Sequence, residues 1–246
     1  MSISGWERKY AQIIEEFDYN EEDDEKSAKL LNSLLKSKQS IEKLKSRIEN
    51  RTVFIVGAGP SVSSSIHILK KFQNVTKIVA DGATCALIKN NVEPDIIVTD
   101  LDGCDEYINN IKDEIVIVHA HGDNYDKLKL VTKIKNCIGT TETKSFGNIY
   151  NFGGFTDGDR CVFLAAYFHA KKIILFGMDF GNVIGKYSKK TVQNKLLKIK
   201  KMKKAKDLLE WLATGTQIKF YTTSSQIKGF TKINYNDIKN IIRSEF

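Results

Sequence analysis

The sequence predicts an α/β protein built on an open, Rossmann-like, mostly parallel sheet flanked by helices. Three observations carry this. Short, continuous apolar runs recur at 53–56, 77–80, 96–99, 115–118 and 172–176, the length and composition of strands buried on both faces. Helical stretches alternate with these runs, as in successive βαβ units. Finally, run after run ends in glycine, aspartate or both. Gly57 follows the first and Asp81-Gly82 the second. Asp100-Leu101-Asp102-Gly103 follows the third, His121-Gly122-Asp123 the fourth and Gly177-Met178-Asp179 the fifth. In an open α/β sheet the carboxyl ends of the strands face the ligand crevice.

Taken in order, residues 1–50 read as a polar helical extension. Trp6, Tyr10, Ile13, Ile14 and Phe17 form one apolar stripe. Asp24 is placed as the cap of a second helix carrying Ala28, Leu30, Leu31, Leu34 and Leu35. The extension is expected to pack on the core or on a second subunit, so a homodimer contact is compatible with it, and no catalytic constellation shows there. The catalytic domain is expected over residues 51–246. Its first strand, Val53–Val56, enters Gly57-Ala58-Gly59-Pro60-Ser61 and a helix over Val62–Phe72. A glycine turn at a helix N-terminus suits phosphate, because free N–H groups point outward. It matches no standard motif: Val62 stands where a dinucleotide fingerprint needs glycine, and Gly-Lys-Ser/Thr is missing. A tight strand-to-helix connection explains it equally well.

A helix is expected over Tyr125–Ile134, while the threonine-rich 137–145 stretch resists assignment. Ile149–Phe152 reads as a strand entering Gly153-Gly154-Phe155-Thr156-Asp157-Gly158-Asp159-Arg160. Arg160 can clamp a phosphate with two hydrogen bonds, and Asp157 either caps the apolar helix Cys161–His169 or serves a site. After Lys172–Phe176 and Asp179 comes Lys186, then a lysine-dense helix over 191–213, a strand over 216–221 and a short C-terminal helix. Most of those lysines form a solvated face.

The net charge of +8 calls for an anionic partner, nucleic acid or nucleotide, and much of the excess lies in 186–206. No RNA-recognition signature, zinc finger or basic region with heptads is present. Cys85, Cys104, Cys137 and Cys161 lack metal or disulfide-framework spacing and fit a reducing compartment. No apolar run has membrane-span length, and the N-terminal residues lack a leader's apolar stretch, so a cytoplasmic protein without a membrane partner is expected.

Strand alternation, continued past Thr99, points Asp100 and Asp102 the same way. Two close carboxylates raise each other's pKa unless a cation lies between them, and a hard divalent ion such as Mg²⁺ suits oxygen ligands. A lone D-x-D-G is more often just a polar turn. Acidic strand ends at Asp81 and Asp123 besides make turns alone a poor account. His119 and His121 share a face but make a poor zinc site without further ligands; His121 is expected as a polar contact and Asp123 as a metal or water ligand.

The segments A-D-G-A, P-D-I-I-V-T-D-L-D-G, H-G-D and G-G-F-T-D-G-D-R, in this order, resemble the thiamin pyrophosphokinase-like catalytic domain. The G-A-G-P-S, G-M-D-F-G and I-G-K-Y-S segments look more like its archaeal-type 6-hydroxymethyl-7,8-dihydropterin pyrophosphokinase branch. Thr99 and Gly103 depart from the glycine and serine of the thiamin enzymes, which weakens thiamin as substrate. The resemblance implies transfer of diphosphate from ATP to a pterin hydroxymethyl group in pterin or folate-type cofactor synthesis, with AMP released. It implies Mg²⁺ on Asp81, Asp100, Asp102 and Asp123, and phosphate or nucleotide at Gly57, Gly59 and Ser61. Arg160 and Lys186 would neutralise the triphosphate. Asp123 or His121 would orient the alcohol beside the catalytic Asp100 and Asp102, and Asp157 or Asp179 would hold the aminopyrimidine edge. A thiamin-type pyrophosphokinase, a sugar-nucleotide transferase and a nucleic-acid module using the lysine helix are the rivals; the expected partners are ATP and a pterin, not nucleic acid.

Overall fold

The computed structural model describes residues 3–35, 41–103, 111, 113–188 and 194–243. Nine strands form one sheet: β1 (Thr52–Val56), β2 (Thr76–Ala80), β3 (Ile96–Thr99), β4 (Ile115–Ala120), β5 (Cys137–Thr141), β6 (Ile149–Tyr150), β7 (Lys172–Phe176), β8 (Lys219–Thr222) and β9 (Thr231–Lys232). Their order is β6-β5-β4-β3-β2-β1-β7-β8-β9, and each neighbouring pair is parallel. The chain walks outward from β1 to β6, then returns to lay β7 on the other side of β1. The order therefore reverses between β1 and β7, where ligands enter open α/β sheets.

The apolar runs form strands because both faces of the sheet are covered. On one face, α1 (Trp6–Phe17), α3 (Glu42–Ile48), α6 (Asp157–Tyr167) and α7 (Lys195–Thr214) bury Trp6, Leu44, Phe163 and Leu209 against Val53, Ile55, Ile78, Ile96 and Ile173. On the other, α4 (Val62–Lys71) and α5 (Asp81–Ile88) cover Phe54, Val79 and Phe176. There α2 (Glu21–Leu34) and a 3₁₀ run (Gly122–Lys133) cover Ile97, Val116 and Val118. Each fully buried large side chain is worth about 1.5–3 kcal/mol. The first fifty residues thus share the sheet's core, with Trp6 edge-on to Phe163 at 5.4 Å. A short α8 (Ile238–Arg243) ends the described chain.

Three expectations are corrected and one unassigned stretch is resolved. The second helix begins at Glu21 with Asn20 as its cap, because Asn20 Oδ1 accepts from Glu22 N–H; Asp24 lies inside the helix and is buried. Cys137–Thr141, left unassigned in the sequence, is an interior strand next to the edge strand β6, since burial between β4 and β6 suits its threonines. The helix expected over 125–134 is a 3₁₀ run capped at His121. Cys85 is disulfide-bonded, while Cys137 and Cys161 are free and buried. Spacing in sequence does not report which cysteines meet in space. Cys104 and residues 189–193 of the lysine-rich segment lie outside the described residues. Among the described residues no helix is long and apolar enough to cross a membrane.

Candidate active site

Two adjoining cavities run along the carboxyl edge of the sheet. The larger, about 240 Å³, lies over the ends of β2 to β5 and is walled by Asp81, Asp100, Asp102, His121, Glu142 and Asp157. The smaller, about 110 Å³, lies over β1 and β7 at the reversal point. Gly82, Thr156, Asp157, Ser188 and Lys198 border both.

The floor of the larger cavity is set by how β3 stops. Strand geometry ends at Thr99, and Leu101 turns left-handed at φ 64°. This corrects the expectation that alternation persists through Asp100 and Asp102. A left-handed non-glycine residue costs roughly 1–2 kcal/mol. Burial of the Leu101 side chain offsets this, as does its N–H, which donates to Thr99 Oγ1 at 2.8 Å. Thr99 Oγ1 in turn donates to Asp81 Oδ2 at 2.6 Å, and Gly103 N–H donates to the same oxygen at 3.0 Å. A Cβ on Gly103 would sit 2.7 Å from the Asp81 carboxyl, so the serine of the thiamin enzymes has no room here.

The result is a trio. Ligand oxygens of Asp81, Asp100 and Asp157 lie within 4.8 Å of one another. Asp100 Oδ1 is buried with no hydrogen-bond partner. Burial disfavours the Asp100 charge, yet His121, the Asp102 carboxyl and Arg160 hold it well below the usual carboxylate range. Asp157, buried and facing Asp100, Asp81 and Asp102, is pushed well above that range. Converging carboxylates with an orphaned oxygen suit a hard divalent cation, which would stabilise all three ionised forms.

Around the trio, Asn124 latches two strand ends together: its amide donates to Asp100 O at 2.8 Å and His119 O at 2.7 Å, and its oxygen accepts His121 N–H at 3.0 Å. His121 Nδ1 accepts Asp123 N–H at 3.3 Å, which leaves Nε2 as the protonated nitrogen, 3.5 Å from Asp100 Oδ2. In this tautomer His121 has no lone pair left for an alcohol's proton. Asp123 stands outside the trio with its side chain 74% exposed. Arg160 is buried between Glu142, at 2.5 Å, and Asp157, at 3.1 Å. Despite burial, Arg160 and His119 hold Glu142 down to about 2. Burial and Arg160 push His119 down to about 4; its Nε2 is 3.4 Å from Glu142 Oε1 without hydrogen-bond alignment.

In the smaller cavity the glycine loop is bound up with the loop after β7. Gly57 N–H donates to Phe176 O and Gly59 N–H to Gly177 O. Ser61 donates to Asp179 Oδ2 through both N–H, at 2.9 Å, and Oγ, at 2.8 Å. These N–H groups already have protein acceptors, so the loop offers shape and close backbone approach more than a ring of free donors. Asp179 is spent on the same tie. Met178, Phe180, Val183, Ile184 and Met202 supply apolar walls. Lys186 lies 4.9 Å over the Tyr187 ring, and the cations bordering the larger cavity are Arg160, Lys198 and Lys201.

Sequence reasoning missed Thr99 as a donor, Glu142 and Asn124. It also missed the whole contribution of the extension, whose Tyr19, Asn20, Asp23 and Asp24 wall the larger cavity. The only available signals were Asn124 beside H-G-D and an unassigned glutamate in a buried threonine run.

A family model described as 6-hydroxymethylpterin diphosphokinase MptE-like matches residues 25–185. A 6-hydroxymethyl-7,8-dihydropterin pyrophosphokinase of Methanocaldococcus jannaschii is 45% identical over 239 residues, covering 89% of this chain and 99% of its own. One of Pyrococcus furiosus is 42% identical over 229 residues, covering 89% and 97%. Among solved structures, the MAf glycosyltransferase from Magnetospirillum magneticum AMB-1 superposes with a TM-score of 0.58 at 15% identity, over 80% of this chain; the match spans 37% of that longer chain. That likeness is one of fold alone.

Proposed function

This chain belongs to the MptE-like 6-hydroxymethylpterin diphosphokinase family, and on that premise we propose that its cleft transfers diphosphate from ATP to the hydroxymethyl group of 6-hydroxymethyl-7,8-dihydropterin, with Mg²⁺ as the metal and AMP released. The observation that carries the reading is the trio Asp81, Asp100 and Asp157, with its orphaned Asp100 oxygen, on the floor of the larger cavity, where Asp157 also borders the smaller one. In this reading the trio, with Asp102 beside it, holds the Mg²⁺. When bound, the ion supplies charge neutralisation for the triphosphate and stabilises charge on the transferring group.

The chain's own residues do the rest. The alcohol oxygen bonds to the β-phosphorus while the bond from that phosphorus to the α–β bridging oxygen breaks. The electron pair leaves with AMP and the alcohol proton passes to solvent or a nearby carboxylate. Such transfers need positioning and charge more than covalent help. The apolar smaller cavity at the reversal point suits the nucleoside, and Lys198 with Ser188, bordering both cavities, suits the phosphates. Arg160, tied between Glu142 and Asp157, fixes the third carboxylate more than it clamps phosphate. His121 keeps Asp100 ionised and oriented. ATP as donor fits a cytoplasmic setting, and the product, an activated pterin, fits a place in pterin cofactor synthesis.

Purified protein with ATP, Mg²⁺ and 6-hydroxymethyl-7,8-dihydropterin should release AMP only when the pterin is present, and EDTA should stop it. AMP with thiamin instead would move the substrate and keep the chemistry. AMP with neither acceptor would sink the reading.

A further inference from the structure

The larger cavity has a second end, away from the carboxylate trio, built by the N-terminal extension. There Asp24, one turn into α2, is 6% exposed yet borders the cavity. Its carboxylate is gripped by two uncharged donors: Tyr10 Oη at 2.7 Å on Oδ2, and Gly122 N–H at 2.8 Å on Oδ1. Among the described residues no lysine or arginine pairs with it. A buried carboxylate in fixed geometry, with no cation and a spare lone pair on each oxygen, is unfinished: it calls for further N–H donors. Beside it stand Tyr19 and Phe155, ring centroids 6.3 Å apart, with Phe17 stacked on Tyr19 at 5.7 Å. These make an aromatic wall next to a double acceptor. Gly122 and His121 link Asp24 to Asp100 across the same cavity.

We propose that Asp24 is the specificity anchor for the acceptor substrate: its carboxylate receives the adjacent amino and ring N–H donors of an aminopyrimidinone edge, while Tyr19 and Phe155 flank the flat bicycle. The inference rests on the reading of the cleft as a pterin diphosphokinase site, and deepens it by placing the acceptor on the extension's side and the nucleotide at the reversal point. The match is chemical. A pterin presents two neighbouring donors along one edge, as a guanidinium does, and a carboxylate meets such a pair bidentately. Its faces are apolar and stack on aromatic rings.

The test is Asp24→Asn in the full-length chain, read by AMP release with each substrate varied and by fluorescence titration with the pterin alone. The acceptor KM and Kd should rise tenfold or more, with the KM for ATP within about twofold and the melting temperature retained. A pterin analogue lacking the 2-amino group separates recognition from general damage. Wild type should bind it at least tenfold more weakly than the parent, and Asp24→Asn should bind both alike. If the variant does not fold, wild type with the analogue and Tyr19→Leu carry the test: the analogue must be rejected, and Tyr19→Leu must raise the acceptor KM without raising that for ATP. Equal binding of analogue and parent by wild type, or a rise confined to the KM for ATP, overturns the proposal. The titration needs no turnover, so its outcome is separable from a failure to make AMP.

Discussion

Replacing Thr99 by valine keeps the shape of a wholly buried side chain and removes one hydroxyl. That hydroxyl donates to Asp81 Oδ2 and accepts the N–H of the left-handed Leu101. Losing a hydrogen bond to a charged acceptor costs about 1.5–3 kcal/mol, and stranding a buried N–H costs about 1–3 kcal/mol. Together they should lower stability by about 2.5–6 kcal/mol, a large share of the roughly 5–15 kcal/mol a domain has. Asp81, deprived of the Thr99 hydroxyl, should also drift from its place in the trio. Urea unfolding reads the first effect, and the half-saturating Mg²⁺ concentration for AMP formation reads the second. Thr99→Val should unfold at clearly lower urea and need at least tenfold more Mg²⁺. Thr99→Ser, which keeps the hydroxyl and loses one methyl worth about 1 kcal/mol, should stay close to wild type. If valine matches wild type in both measurements, the hydroxyl does not hold Asp81 and the account of this turn is wrong.

Gly103→Ala pushes a Cβ into the Asp81 carboxyl; a displacement near 1 Å costs on the order of 100-fold in turnover, and steady-state rates at saturating substrates check it. Asp157→Asn removes the carboxyl whose charge burial and the facing Asp100 oppose, so without metal its melting temperature should rise above wild type, while the rise that Mg²⁺ gives wild type should vanish along with AMP formation. The remaining prediction concerns pH. His119 is held at about 4 when folded against 6.5 as its ordinary value, so the unfolded chain binds the extra proton between those limits. Its contribution, about 3 kcal/mol, is therefore complete above pH 6.5 and is lost as pH falls toward 4. Urea midpoints of wild type minus His119→Gln should show that slope between pH 4 and 6.5 and flatten above it. A flat difference throughout would mean that His119 carries a proton in the fold.

The strands β1, β2, β3, β4 and β7 were legible because burial on both faces leaves an unbroken apolar run. β5 was not: Cys-Ile-Gly-Thr-Thr becomes a strand only because β4 and β6 close over it. The same division holds in the cleft. Aspartates at strand ends announce themselves, since chemistry at a crevice needs charge where the backbone turns outward. Which of them converge depends on a single backbone reversal at Leu101 and on a hydroxyl three positions short of Asp102, and neither leaves a pattern. So Asp157, expected beside a substrate, lies in the trio, while Asp123, expected on metal, points to solvent. The extension was the least legible part. Its helical stripe tells which face is buried, and Trp6, Tyr10 and Ile13 obey it. No periodicity can tell that the turn joining α1 to α2 lands against the cleft of a sheet that begins thirty residues later. Asp24 illustrates the cost: in sequence it is one acid among Glu21, Glu22, Asp23 and Glu25, a run that reads as a helix start. The bonds from Tyr10 Oη and from Gly122 N–H, 98 positions away, separate it from its neighbours and turn an expected cap into a candidate anchor. A charged residue that is buried, bonded only by neutral donors and open to a cavity is where such a run should be searched first, because that combination persists only if something completes it.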